Sequence, residues 1–395
     1  MSTARFRFRP LAVGEAADAA RRMQASFGST GDLEQLVSRF EERAAEGLVW
    51  VLADAATHAA LGQCVLKPNA HWFGGREVAC QHIGGVGVAP EHRGTGVASA
   101  LMRAAVRHGA GQQLGLSLLF PAANALYRKL GWEQAGTYIR WRLPARFAPQ
   151  AGTPLRPLSD ADWPAVQACQ ERWAAALNGP EVRDEPRWRS LREQVQFAYG
   201  LDAQSRDGLE AYVLVAHEAI PEHWQHTLRI VDWAAETGRG LAGVVGFVGS
   251  HGTLARDATF HAPAPNPWAL LLAEQDLVRD RDFDWMARPL HLPRAVGARG
   301  YPEGLRVATT FAVDDPMLPD NHGPWRLEVA DGHGRLEPAA RAEARVDVTA
   351  LGPLLTGYRT AGDLARAGRL AGPAATLRAL DAAFGGAVPT LLDFF

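Results

Sequence analysis

The segment VGVAPEHRGTGVA, Val86 to Ala98, holds the residues best suited to bind an anion. A protein without a metal can neutralise a pyrophosphate with backbone N–H groups gathered at a helix N-terminus. Arg93, Gly94, Thr95, Gly96, Val97 and Ala98 suit that task. Gly94 and Gly96 reach positive φ at low cost and let the amides curl inward. Ala98 is small enough for a phosphate to approach the first turn, and Arg93 adds a fixed charge. HRGTG alone would be a plain turn. The strand-like VGV before it and the alanine-rich ASALMRAAVRHG after it supply the setting an anion loop requires. That helix is expected to pack through Leu101, Ala104, Ala105 and His108.

The elements around the loop follow from periodicity. A helix is predicted over 15–27, then one of about fourteen residues capped by Asp32 and stopped by Gly47. Strands are predicted at 48–53 and 60–66, a third ending near Ile83 and a fourth at 85–88. After the anion loop come a helix to about His108, a strand at 114–120, a helix over 123–130 stopped by Gly131, and a strand at 138–143. PARFAPQAGTPLRP, 144–157, has the composition of a linker. A second unit opens with a helix at Asp160 or Asp162 and continues through strands at 211–216 and 228–235, an order that echoes the first unit. Pro and Asp clusters between His261 and Pro293 mark a second boundary. The last third predicts strands at 305–313, 325–330 and 344–350, then three helices in LGPLLTG, AGDLARAG and AATLRALDAAF.

Composition narrows the classes of partner. Over 395 residues, 41 basic and 43 acidic side chains nearly cancel, so no global field steers nucleic acid or an anionic membrane. Apolar residues at 47% allow full cores. Cys64, Cys80 and Cys169 form no CxxC, which argues for reduced thiols and against a zinc site. His217, His223 and His226 do not form HExxH, so no metal is expected. No apolar run is long enough for a membrane span and the N-terminus has no apolar leader core, so a cytoplasmic protein acting on a small molecule is expected. GRGLAG, 238–243, satisfies GxGxxG, but no acid stands suitably about twenty residues on for a nucleotide site.

Arg93, Gly96 and Ala98 meet the pattern Arg or Gln, two residues, Gly, one residue, Gly or Ala. On these residues the sequence resembles the GCN5-related N-acetyltransferases (GNAT). The resemblance implies acetyl-CoA as co-substrate, with Val86, Gly87 and Val88 pairing with its pantetheine arm and Asn124 also at the cofactor. Tyr127, in NALYRKLGW, matches the family's Tyr-x-x-x-Gly-aromatic, which makes it the general acid for the departing thiolate. A second unit lacking the anion loop, the segments RIVDWAA, WRLEVADG and LGPLLTG, and the ending VPTLLDFF resemble the Eis-type (enhanced intracellular survival) acetyltransferases. That likeness implies an α+β (α/β) fold: two tandem GNAT-like domains, 1–147 and 148–286, on a mixed, V-splayed sheet, and a sterol carrier protein-like domain, 287–395. It implies a homo-oligomer, a hexamer by family, and makes the terminal carboxylate of Phe395 the general base toward an amine. Burial of that carboxylate would raise its basicity. Family members that acetylate aminoglycosides line their pocket with acids early in the first domain and just before the last Phe. Ser26 to Thr30 offers none and the penultimate residue is Phe394, so a less cationic amine is expected. Two other readings stand: a non-catalytic protein that keeps an idle CoA fold and binds an apolar ligand, and an acetyltransferase of protein lysines or N-termini.

Overall fold

The computed structural model describes residues 5–28 and 31–395. In chain order the strands of its larger sheet are β1 (Phe6–Pro10), β2 (Val49–Asp54), β3 (Ala60–Phe73), β4 (Arg76–Val88), β5 (Leu116–Leu119), β6 (Glu133–Pro144), β7 (Arg156–Pro157), β8 (Phe197–Asp202), β9 (Leu209–Ala219), β10 (His226–Ala235), β11 (Ala255–His261) and β12 (Val278–Pro289). They pair in the order β1-β2-β3-β4-β5-β12-β6-β11-β10-β9-β8-β7. The sheet is mixed: β4 runs parallel to β5, and β10 to β11, while the other neighbours are antiparallel. Each half repeats the same plan of six strands, four antiparallel, a fifth parallel to the fourth and a sixth exchanged with the other half at the centre. β12 of the second half lies between β5 and β6, and β6 of the first half lies between β12 and β11. The boundary expected after residue 286 falls inside β12, because that strand runs on to Pro289 to complete its pairing with β5.

The strands expected to end near Ile83 and to start at Gly85 are one strand. Gly85, at φ +56°, allows a bulge opposite Cys64, where the β3 register jumps between Gln63 and Val65. β4 pairs with β5 only over Cys80–Ile83. Beyond Ile83 it continues to Val88 without a strand on that side, and the sheet opens in a V.

The stretch 144–157 is packed rather than free. The helix Gly238–Ser250 carries glycine at 240, 243, 246 and 249, and the incoming backbone lies along the last three of them, while Gly240 faces Glu210 and Ala211 of β9. A Cβ on Gly249 would stand 2.3 Å from the carbonyl oxygen of Pro149, and one on Gly243 3.0 Å from that of Thr153. GRGLAG therefore forms the start of a helix whose glycines admit a neighbouring chain.

The C-terminal third forms a second sheet, β13 (Val307–Asp314), β14 (Gly323–Ala330), β15 (His333–Pro338), β16 (Ala344–Asp347) and β17 (Leu370–Ala371), in the order β15-β14-β13-β16-β17. The strand expected over 344–350 stops at Asp347, whose carboxylate accepts from the Thr349 amide and starts the helix Val348–Thr356. β15 escapes the periodicity because the glycine-bearing turn around Gly332 and Gly334 breaks it. One hydrophobic cluster joins this domain to the first: Phe311, Leu327 and Leu354 pack in the same core as Phe73, Leu118 and Trp285. Among the described residues no helix is long and apolar enough to cross a membrane.

Candidate active site

The anion loop sits where β4 hands over to the helix Val97–Gly111. Gly94 and Gly96 adopt φ +76° and +88°, and Gly96 is the N-cap. No side chain caps this helix and its first turn holds no acid, so the amides of Val97, Ala98 and the next residue stay available. Thr95 folds its hydroxyl back to the His92 carbonyl at 2.7 Å, and Arg93 ties the loop to the Ala25 carbonyl at 3.0 Å. Arg93 through Gly96 are exposed and nothing stands within 4 Å of a Cβ at Gly94 or Gly96, so the cradle is open to a phosphate. Upstream, Val86 and Val88 are half-buried on the stretch of β4 that pairs with β3 alone, with Gly87 buried between them. Gly87 backs onto the helix Ala16–Phe27, where the Ser26 hydroxyl is buried without a partner. Residues 29 and 30 of the acid-free stretch lie outside the described residues.

Tyr127 lies in the short helix Asn124–Arg128, which the half-buried Asn124 opens. Its ring is buried edge-on to Trp132 at 6.1 Å. Burial pushes its hydroxyl up to about 12, so it keeps its proton at neutral pH.

The far end of the chain reaches the same V. Thr390 pairs with Thr137 of β6 as a parallel bridge, and its amide donates to the Asn178 carbonyl at 2.8 Å. Asn178 also donates to the Ala387 carbonyl. The segment 179–182 in turn runs along β3, its Gly179 and Val182 amides donating to Trp72 and Ala70. Asp393 is then locked by Arg183 at 2.9 Å and Arg187 at 2.6 Å, while Arg183 also grips Asp232 at 2.6 Å. Burial alone would raise Asp393, but the two guanidinium groups hold it well below the usual carboxylate range. Past this anchor Phe395 stacks on His82 with centroids 3.6 Å apart, and Phe394 stacks on Phe120 at 4.3 Å. The carboxyl carbon of Phe395 comes within 4.0 Å of the Cβ position of Gly84, the first β4 residue beyond its pairing with β5.

Beneath Phe395 lies a buried imidazole pair. His71 Nδ1 faces the Gly179 carbonyl at 2.6 Å and so carries the proton there. In the neutral ring its Nε2 then accepts from Nε2–H of His82, leaving His82 Nδ1 a buried acceptor without a partner. Burial lowers His71 to about 4 and lowers His82 well below its ordinary value, so both are neutral. Nearby, Asn69 donates to Glu181, whose carboxyl burial and Asp393 push up to about 7.

The structure thus brings the predicted loop, β4 backbone and terminal residue to one region, with Tyr127 in the core beside it. Sequence reasoning missed Arg183, Arg187, Asp393, Glu181 and the His71–His82 pair. A lone Asp in the apolar run LLDFF was the available signal, because a buried carboxylate needs a cation; its partners, some 200 positions away, gave none.

The fold and this assembly define an acyl-CoA-dependent N-acetyltransferase. The Acetyltransferase (GNAT) domain family matches residues 7–135, a second family of the same description matches 179–289, and the Sterol carrier protein domain matches 292–392. N-acetyltransferase Eis of Mycobacterium tuberculosis is 28% identical over 332 residues, 78% of this chain and 79% of its own, and the Mycobacterium bovis protein of that name matches equally. A GCN5-related N-acetyltransferase from Anabaena variabilis superposes with a TM-score of 0.89 at 26% identity, covering 99% of this chain and 100% of its own. The one from Kribbella flavida gives 0.85 at 28%, covering 99% and 98%. The chain thus carries two GNAT acetyltransferase domains followed by a sterol carrier protein domain, and in this order and over most of its length it is similar to the Eis N-acetyltransferases.

Proposed function

We propose that this enzyme acetylates a small-molecule amine by direct transfer, with Tyr127 as general acid and the Phe395 carboxylate as general base. Acetyl-CoA, when bound, supplies the acyl group as an activated thioester. The amides after Gly96, with Arg93, Gly94, Thr95, Val97 and Ala98, hold its pyrophosphate. Val86, Gly87 and Val88 pair with its arm on the side of β4 that has no neighbouring strand, and Asn124 takes part in holding the same ligand. Tyr127 donates its hydroxyl proton toward the leaving sulfur, and a terminal oxygen of Phe395 takes the proton of the attacking nitrogen. The observation that carries this reading is the carboxyl group of Phe395 against Gly84, where β4 leaves β5 and pairs with β3 alone.

The same reading divides the chain into domains of 1–147, 148–286 and 287–395, and takes the protein as cytoplasmic and homo-oligomeric, hexameric by family likeness. Tyr127→Phe is expected to lower turnover about a hundredfold while acetyl-CoA affinity, measured by calorimetry, stays close to wild type. Deleting Phe394 and Phe395, or extending the chain beyond Phe395, is expected to abolish thiol release. Full activity in both variants overturns the roles.

A further inference from the structure

A cluster of rings stands beside the terminal residue. Phe394 is 55% exposed and stacks on Phe120 at 4.3 Å, with the half-buried Tyr138 5.9 Å from Phe394 and 5.5 Å from Phe120. Tyr138 in turn stacks on His261 at 4.4 Å and donates its hydroxyl to His261 Nε2 at 3.1 Å, because His261 Nδ1 is engaged with the Ile139 carbonyl. Phe120 also lies 5.2 Å from Phe395, so this wall begins at the residue whose carboxylate takes the proton.

The wall carries no net charge of its own. Burial lowers His261 to about 4 and raises Tyr138 to about 12, so both stay neutral. The charges felt at Tyr138 are those of Arg187, Arg140, Arg281 and Asp393. Three are cationic, but Arg187 is paired with Asp393, which Arg183 also holds, and Arg140 with Asp280. Burial raises Glu181 to about 7, which makes it a weak counter-ion at neutral pH. A polycation approaching this wall meets the Phe395 carboxylate and, beyond it, rings and arginines that are already paired. A flat apolar group meets ring faces, which favour stacked or edge-on aromatic partners.

We infer that the acceptor is a primary arylalkylamine, whose ring packs on Phe120, Tyr138 and Phe394 while its nitrogen reaches the Phe395 carboxylate. The inference rests on the proposed acetylation of an amine and names the class of amine. It also gives the two terminal phenylalanines separate tasks: Phe395 is seated inward on His82 and presents the base, and Phe394 turns outward to select.

Thiol release from acetyl-CoA by the full-length protein tests it, with 2-phenylethylamine and tryptamine against n-hexylamine, spermidine and kanamycin. The arylalkylamines are expected to exceed n-hexylamine in kcat/KM by about tenfold, the size of one good ring contact, and to exceed both polycations. Phe394→Leu, at an exposed position outside the core, is expected to bring the aryl-to-alkyl ratio close to one, and Phe120→Leu to do the same. Equal rates for aryl and alkyl amines, preference for a polycation, or a ratio unchanged in both variants overturns the inference and leaves acetylation of an amine standing. No thiol release with any amine, in a protein that binds acetyl-CoA, overturns both.

Discussion

His71 and His82 show how a residue buried for position sets a condition on the whole protein. Both imidazoles, and His261, are held neutral by burial, with His71 and His261 lowered from 6.5 to about 4. In the unfolded chain each titrates near 6.5. Above that pH neither state binds the proton and the pair costs nothing. Below it the unfolded chain takes up protons that the folded protein refuses, so stability is lost as pH falls from about 6.5 toward 4. Glu181 works in the opposite sense, since its folded value of about 7 lies above its ordinary 4.5. Its contribution is present below 4.5 and is lost as pH rises through 7. Three imidazoles outweigh one carboxyl, so acid is expected to destabilise the fold, each excess proton contributing about 1.4 kcal/mol per pH unit at most. Urea unfolding at pH 7 and pH 5 checks this, and a midpoint that holds level or rises in acid contradicts it. His82→Gln, which can still donate to His71, is expected to flatten the loss by about one proton's worth. None of these histidines stood out in the sequence, where each is an isolated residue in a strand pattern. Arg93, Gly96, Ala98 and Tyr127 did, because their spacing along one loop and one helix is local.

At the level of elements, the helix Gly238–Ser250 explains a motif by packing alone. Glycine at every third position drifts slowly around the helix and leaves one groove, into which residues 148–153 lay their backbone. Gly249→Ala would ordinarily favour a helix by about 1 kcal/mol. Here its Cβ would meet the Pro149 carbonyl oxygen at 2.3 Å, with backbone on both sides. The expected result is a net loss of stability of about 1–3 kcal/mol, read from urea midpoints. Gly238→Ala, with nothing within 4 Å, is expected to be neutral or slightly stabilising, and equal effects at the two positions would contradict the packing account. Packing accounts for the GxGxxG spacing of this helix, and the stretch 144–157 that packs on it has the composition of a linker. Pro, Gly and Ala describe a segment without periodicity, and such a segment looks the same whether it is solvated or pressed into a glycine groove. The bulge at Gly85 hid in the same way: a kinked strand reads as two.

Across the molecule, the order of elements announces three consecutive units, yet none of the three closes on its own. A hydrophobic pattern marks Trp285, Met286 and Ala287 as buried, but cannot say that their neighbours are β5 and β6 of the first unit. The same strand carries Arg288, fully buried, which donates to the Leu130 carbonyl and pairs with Asp315 at 2.8 Å, tying the first unit to the third. The tail from Ala387 to Phe395 then crosses back to β6 and to residues 178–187, and its Leu391 belongs to the core shared by Phe73 and Phe311. Residues 1–147 made alone would lack the strand between β5 and β6 and would expose two unpaired edges, a template for association. This fragment is expected to aggregate or to unfold without cooperativity. Co-production with 148–395 is expected to return a soluble complex, because β12, Arg288 and the tail all arrive on the second piece. Acetyl-CoA turnover in that complex tests more than solubility, since the base at Phe395 and the loop at Arg93 to Ala98 then reside on separate chains. A fragment 1–147 that is monomeric, unfolds in one sharp transition and binds acetyl-CoA as the whole protein does would show that the exchanged strand is dispensable, and the central sheet would then be an interface between finished domains.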